Sequence, residues 1–252
     1  MSTYASFQGR VFLGKRDEAG NPVEVRTPGN VADLKLALKT EVLEHYESQS
    51  GQRSLDHRMV KSKSATVNLT IEEFTPENLA LALYGSSLTG SGGTVTDEPI
   101  GGAAPMIGDR YFLAHPKVST LVLQDSAATP ETLTLGTHYT ADTDFGAVQF
   151  LDITSLTAPF KASYAYGVVT EIGLFTQPLP ERFLRLEGVN TAAGNARVLV
   201  ELYRVAFDPL KELALISNDY NKFELEGSLL ADSTKPFDAV LGQFGRIVLM
   251  PS

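Results

Sequence analysis

Hydrophobic and polar positions alternate along two stretches of the chain, and a block of different texture separates them. In the first stretch Leu34, Leu36, Leu38 and Val42 share one face at period two, while Lys35, Lys39 and Glu41 share the other. Strict alternation predicts a half-buried strand, although the Ala, Leu and Lys content of residues 32–42 also suits a helix. Alternation resumes with Ala65, Val67, Leu69 and Ile71 set against Thr66, Asn68, Thr70 and Glu72, which predicts an antiparallel partner strand. Residues 45–60 between them are polar and read as a long loop, and loops of this length inside a domain are usually functional or mobile. Two readings stand: a mobile surface loop, or an arm reaching a neighbouring subunit through Tyr46, Glu47, Gln49, Gln52, Arg53, Leu55, Asp56 and His57.

The flanking segments follow the same logic. Residues 1–9 read as a polar arm, residues 9–14 as a short strand and residues 15–22 as a turn. Thr75 as N-cap, Pro76 at the first position and Glu77 in the first turn predict a helix. Leu79, Ala80 and Leu83 supply its expected buried stripe, and Gly85 its stop. A Gly/Ser/Thr-rich tract over 86–102 reads as a linker. Short strands are then expected at 110–114, 120–123, 132–135, 147–151 and 162–166, a spacing that predicts a small β-sandwich. The core texture returns from Val168, with strands expected at 182–188, 196–206, 212–216, 223–230 and near 242–250. The organisation expected is a discontinuous core domain over 1–90 and 168–252, a linker over 91–102 and an inserted β-rich peripheral domain over 103–167.

Composition narrows the function classes. A chain of 252 residues that is 43% hydrophobic can bury a real core. No window approaches the apolar run of about eighteen residues that a membrane span needs, and the N-terminal residues lack the pattern of a signal peptide. Cysteine is absent, which removes disulfides, thiolate nucleophiles and sulfur-ligated zinc. A net charge of −9 disfavours tight sequence-independent binding to nucleic acid, which needs clustered Lys and Arg.

No constellation for catalysis emerges. His45 and His57 could meet across a hairpin, but they lack an obvious third metal ligand. Asp142 and Asp144 match a calcium loop only in part, since no Glu completes the spacing; a turn in a hairpin is the plainer reading. There is no nucleophile elbow, phosphate-binding loop or dinucleotide fingerprint. Arg58, Lys61 and Lys63 form the densest basic cluster, and a solvated strand end or a partner for another subunit's acids suits them better than nucleic acid. No enzyme activity and no cofactor are expected.

The order of the motifs resembles a known family. Gly29-Asn-Val-Ala-Asp-Leu34 before a strand pair, and Phe74-Thr-Pro-Glu-Asn-Leu-Ala-Leu-Ala-Leu-Tyr-Gly85 after it, are similar to the major tail tube proteins of long-tailed (siphovirus-like) bacteriophages. Phe183-Leu-Arg-Leu-Glu-Gly188, Val198-Leu-Val-Glu-Leu-Tyr203, Ile216-Ser-Asn-Asp-Tyr220 and Phe223-Glu-Leu-Glu-Gly-Ser-Leu-Leu-Ala-Asp232 continue the resemblance, which covers about 1–90 and 168–250. It implies a mainly β fold: a two-sheet β-sandwich or partial barrel with one flanking α-helix, here with an inserted small β-sandwich domain. It further implies hexameric rings stacked into a tube that conducts double-stranded DNA without specific binding. Tape-measure and tail terminator or tip proteins would be the other partners, and the virion tail, assembled in the bacterial host cytoplasm, the location. On that model Leu34, Leu36, Leu38, Val67, Leu69 and Ile71 face the core, and Lys35, Lys39, Glu41, Asn68, Thr70 and Glu72 are candidates for the lumen. An acidic or neutral lining suits passing DNA, because it gives phosphates little to bind. The insert is expected outside the tube.

Two alternatives remain at this point: a host-surface or carbohydrate-binding β-sandwich module working through residues 105–167, and the tube protein of a contractile secretion system. A hydrolase is a distant third.

Overall fold

Residues 4–236 and 241–250 are described in the computed structural model, which is mainly β. In chain order come the strands β1 (Phe7–Arg16), β2 (Pro22–Arg26), β3 (Val31–Tyr46) and β4 (Leu55–Ile71), then the helix α1 (Pro76–Ala82). Next are β5 (Ser87–Thr89), β6 (Gly93–Ile100), β7 (Arg110–Phe112), β8 (Val118–Gln124), β9 (Tyr139–Asp142), β10 (Ala147–Phe150), β11 (Phe160–Tyr166) and β12 (Thr170–Ile172). The chain closes with β13 (Glu181–Asn190), β14 (Ala196–Phe207), β15 (Phe223–Leu229) and β16 (Gly245–Met250). It divides into two units, Met1–Ser86 with Ile172–Ser252, and Ser87–Glu171.

The first unit is one antiparallel sheet in the order β2-β1-β13-β14-β15-β4-β3, with β16 paired to β14. One edge of β14 serves two strands, β16 over Arg197–Leu202 and β15 over Val205–Phe207. Period-two alternation puts whole rows of apolar side chains on one face: Val11–Leu186–Val200 and Leu13–Leu184–Leu202 at one end, Leu34–Leu69–Leu225 at the other. Both ends pack into a single core cluster, so the sheet curls on itself as a partial barrel. Fully buried Leu69, Ile71, Leu184 and Phe207 each remove apolar surface worth about 1.5–3 kcal/mol. The curl stays open: a groove of about 560 Å³ separates Leu34 and Leu36 from Val11, Leu186 and Ile247.

Helix α1 begins as expected, with Thr75 Oγ1 accepting the Asn78 N–H. Its buried face is different. Asn78, Leu81 and Ala82 point inward, whereas Leu79, Ala80 and Leu83 are not the buried stripe expected of them in full: Asn78 takes the most enclosed position. Its hydrogen bonds explain the shift. Asn78 Nδ2 donates to the carbonyls of Pro28 (2.7 Å) and Glu73 (2.9 Å), while its Oδ1 accepts from Arg26 (2.7 Å). A polar residue therefore ties the helix to the chain entering β3. The helix ends at Ala82, before Gly85, where a Cβ would lie 1.9 Å from the carbonyl oxygen of Gly173.

The second unit packs two three-stranded sheets, β7-β10-β9 and β6-β11-β8, with β5 and β12 pairing as a separate ribbon. Val148 and Phe150 of one sheet meet Phe160 and Leu123 of the other in one core, and the rings of Phe150 and Phe160 lie 4.8 Å apart. The expected sandwich is present. The hairpin expected around Asp144 is the β9–β10 pair.

Several expectations are corrected. The stretch expected as linker over 91–102 contains β6, which pairs along β11, because Val95 and Ile100 carry enough apolar surface to join the sandwich. Residues 212–216 form no strand: Leu215 and Ile216 have no ladder to join, and both are exposed. The region 132–135 contributes only isolated bridges. Phe7 to Gly9 open β1 instead of an arm, while Met1 to Thr3 lie outside the described residues. The turn expected before Pro22 is present, and its return limb is the unexpected strand β2. Most consequential, residues 45–46 and 55–60 are strand, so the long loop is the end of a long hairpin.

Candidate functional site

Strands β3 and β4 run sixteen and seventeen residues, far beyond the strands beside them. β15 accompanies β4 only from Ile71 to Ala65. From Lys39–Ser64 to Tyr46–Leu55 the pair is a free two-stranded ribbon, roughly 25 Å long at about 3.3 Å per residue. Just before the ribbon, Leu36 and Leu38, expected in the core, pair with buried Val67 and Ala65. Yet Leu38 is 78% exposed and Leu36 is exposed as well. Alternation selects their face, but they sit on the edge strand β3, and the groove leaves that face open at Leu36. Isolated ribbons of two strands are marginal in water.

Directly paired residues share a face of the ribbon. Val42–Val60 and Tyr46–Leu55 lie on one face, Leu43–Met59 and His45–His57 on the other. Apolar pairs thus occupy both faces. Two register shifts, at Glu41/Val42 and His45/Tyr46, keep this arrangement while adding twist. The polar groups between are mutually satisfied: Arg58 faces Glu44 at 3.4 Å, Lys61 faces Glu41 at 3.8 Å, and His45 Nδ1 meets Asp56 at 2.6 Å. Arg58 and Lys61 of the basic cluster therefore find acids within their own hairpin.

The tip spans residues 47–54 and is organised by Glu47. Its carboxylate accepts the N–H groups of Gln49 (2.7 Å) and Ser50 (2.8 Å) together with the Ser50 hydroxyl, and the Glu47 N–H closes the turn on Ser54 at 2.9 Å. The Ser50 hydroxyl and these amides lower the Glu47 pKa to about 2. Gly51 and Arg53 take positive φ, at 76° and 51°. Of the residues expected to contact a neighbour, Glu47, Gln49, Gln52 and Arg53 lie in the tip, and Tyr46, Leu55, Asp56 and His57 in the strands; none of the eight is buried. The apolar residues Leu43, Met59 and Val60 escape sequence reasoning because the segment around them reads as polar loop. Their direct pairing shows in the sequence only as alternation on both sides of a shorter turn.

The face of β3–β4–β15 opposite the core collects Lys35, Lys39, Glu41, Asn68 and Glu72, none of them buried. Glu224 and Glu226 extend it, since they pair with Thr70 and Asn68. Lys35 is held by Asp33, and Glu41 accepts the Ser62 hydroxyl at 3.1 Å. Glu72 accepts from Asn30 Nδ2 at 2.5 Å. Thr70 is the exception among the candidates: it is 8% exposed, because Asp33 and Glu224 flank it on neighbouring strands. It cannot line an open surface.

Among the described residues no three His, Asp or Glu side chains gather in a way that could hold a metal ion. His45 and His57 do face each other across the ladder. Asp142 Oδ1 accepts the Phe145 N–H at 3.3 Å inside a turn, and its other oxygen meets Arg110 at 2.7 Å. No described helix is long and apolar enough to cross a membrane.

Fold and arm together define the class: a mainly β protein of two units, the first of which projects a long hairpin with apolar pairs on both faces. The chain belongs to the family described as protein of unknown function UCP028589, whose model matches residues 4–248. No curated protein matches it.

Proposed function

We propose that this protein is the subunit of a phage tail tube, forming stacked hexameric rings around a channel for double-stranded DNA. The observation that carries the reading is the hairpin arm. A ribbon with Leu43–Met59 on one face and Val42–Val60 on the other has exposed apolar pairs that association would cover. The sheet also ends in two edge strands, β2 and β3, and edges of this kind are either protected or used for pairing. Head-to-tail contacts between copies close into rings when the rotation closes.

The outer face of β3–β4–β15 fits a channel lining. Lys35, Lys39, Glu41, Asn68 and Glu72, with Glu224 and Glu226, present balanced to negative charge and no aromatic side chain, so phosphates gain little by binding. Negative-stain microscopy of the concentrated protein is the test: rings or tubes with a central channel support the reading, and dispersed particles at every concentration overturn it.

A further inference from the structure

Two surfaces of the first unit stand out, and they are opposite in charge. The first is the outer face of β1–β13–β14–β16. The rows Arg10–Glu187–Leu199–Val248 and Phe12–Arg185–Glu201–Arg246 cross it, with Arg197 and Met250 in the row beside them. Four arginines thus stand against two glutamates in a chain whose net charge is −9. Glu201 bridges Arg185 (3.0 Å) and Arg246 (2.6 Å), and Glu187 also meets Arg185 (2.8 Å). Both acids are therefore taken. Arg10 and Arg197 are exposed and have no carboxylate within ion-pair distance among the described residues. They border a shallow depression of about 490 Å³ floored by Val189 and Leu199. Arginine around an apolar centre is the composition of interface cores, where lysine is depleted.

The second surface is the segment from Asp208 to Glu226. Its loop, 208–222, holds three carboxylates, Asp208, Glu212 and Asp219, against two lysines, and one lysine, Lys211, is already paired with Glu226 of β15. The same segment exposes Leu215, Ile216 (97%) and Tyr220 (102%). An acidic loop with bare apolar side chains matches an arginine face with an apolar floor in both charge and hydropathy.

We propose that the 208–222 loop of one copy seats on the β1–β13–β14–β16 face of the next, with Glu212 and Asp219 meeting Arg10 and Arg197, and Ile216 or Tyr220 covering Leu199. This rests on the self-assembly reading above and names its contact. The contact is heterologous, loop to face, so it propagates from copy to copy instead of closing a dimer. It also keeps the arginine face away from DNA, which a channel lining could not tolerate.

The test uses two charge-reversed proteins, Arg10→Glu/Arg197→Glu and Glu212→Arg/Asp219→Arg, with sedimentation velocity and negative-stain imaging. All four positions are exposed, and circular dichroism checks that each variant is folded. Each variant alone should assemble only at a concentration at least about tenfold above that of the unaltered protein, since like charges then face each other. An equimolar mixture should recover assembly to within about twofold, because each reversed face then meets a loop of opposite charge. Unchanged assembly of either variant, or a mixture as impaired as its components, overturns the contact and leaves the tube reading intact. If the unaltered protein assembles into non-tubular oligomers that respond to the reversals and the mixture as above, the contact stands and the tube reading falls. An unaltered protein that stays monomeric throughout overturns both.

Discussion

Leu43 lies directly opposite Met59 across the β3–β4 ladder, and both side chains are more than half exposed, at 57% and 51%. One register step away, Val42 faces Val60 on the other side of the ribbon. Neither face of the arm is wholly polar, and this drives the first expectation. Replacing both residues (Leu43→Ser with Met59→Ser) should change monomer stability by no more than about 0.5 kcal/mol per site, as for exposed positions generally. Assembly should nevertheless be lost. Urea melts and sedimentation velocity on the same preparations separate the two effects, and a matched loss of both would show that the pair supports the fold.

Removing the arm altogether sharpens this. Lys39 and Ser64 are direct partners, so residues 40–63 can be replaced by Asn-Gly, the turn that best suits a two-residue hairpin. β15 pairs β4 only up to Ala65, so the curled sheet and its core should survive, with a near-ultraviolet spectrum that differs only by the loss of Tyr46. We expect a folded monomer at every concentration. Rings or tubes from this protein would assign the association to other surfaces.

Leu38 and Leu69 make a paired comparison of burial within one alternation pattern. Leu69 is fully buried, so Leu69→Ala should cost about 2–5 kcal/mol through lost transfer energy and the cavity left behind. Leu38→Ala should fall within about 0.5 kcal/mol. Chemical denaturation of both variants reads the difference directly; equal losses would mean that something covers Leu38 in the monomer.

The same pair shows what is legible in the chain and what is not. Period two correctly assigns Val67, Leu69 and Ile71 to the inside, because a face is a local property of a strand. Whether that face is covered at Leu36 or Leu38 depends on their place on the edge strand β3, beside the groove that the curled sheet leaves open, which no local pattern encodes. The hairpin is legible, but the polarity of His45, Asp56 and His57 places its turn too wide, since these residues still pair in strands or flank the pairs. Thr75 and Pro76 announce the helix start, whereas its buried face follows Asn78, whose hydrogen bonds reach Arg26 and Pro28, far away in sequence. Residues 212–216 look like a strand and form none, because alternation needs a neighbouring ladder before it becomes a sheet. The arginine face is invisible for a similar reason: Arg10, Arg185, Arg197 and Arg246 come together only through register.

Asn78 supplies a fourth expectation. Its amide satisfies the carbonyls of Pro28 and Glu73 at a site with no exposure. Asn78→Ala leaves buried acceptors unpaired and should destabilise the first unit by about 1–3 kcal/mol. Asn78→Asp should be no milder, because a carboxylate cannot donate to either carbonyl. Thermal melts of the two variants check this, and an Asp variant as stable as the native protein would show that the two donated bonds contribute little.

Acid should weaken the first unit through a defined set of ion pairs. Arg204 holds both oxygens of Glu181, at 2.7 and 2.6 Å, and this pairing keeps the Glu181 carboxyl below its ordinary value despite partial burial. Burial works against ionisation of Asp232, but the Thr234 hydroxyl and amide, then Arg16 at 2.8 Å, outweigh it and lower that carboxyl too. A carboxyl with a lowered folded value binds its proton later than the unfolded chain does. The stability it contributes is therefore complete above the ordinary carboxylate range, near pH 4, and drains away as pH falls through the lowered value. We expect a melting temperature that is flat from about pH 7 to 5 and declines progressively below about pH 4. Glu181→Gln should lower the plateau and flatten the decline, since the amide keeps the contact's shape but has no proton to take up. Melting curves across pH for both proteins decide it, and parallel declines would remove Glu181 from the acid response.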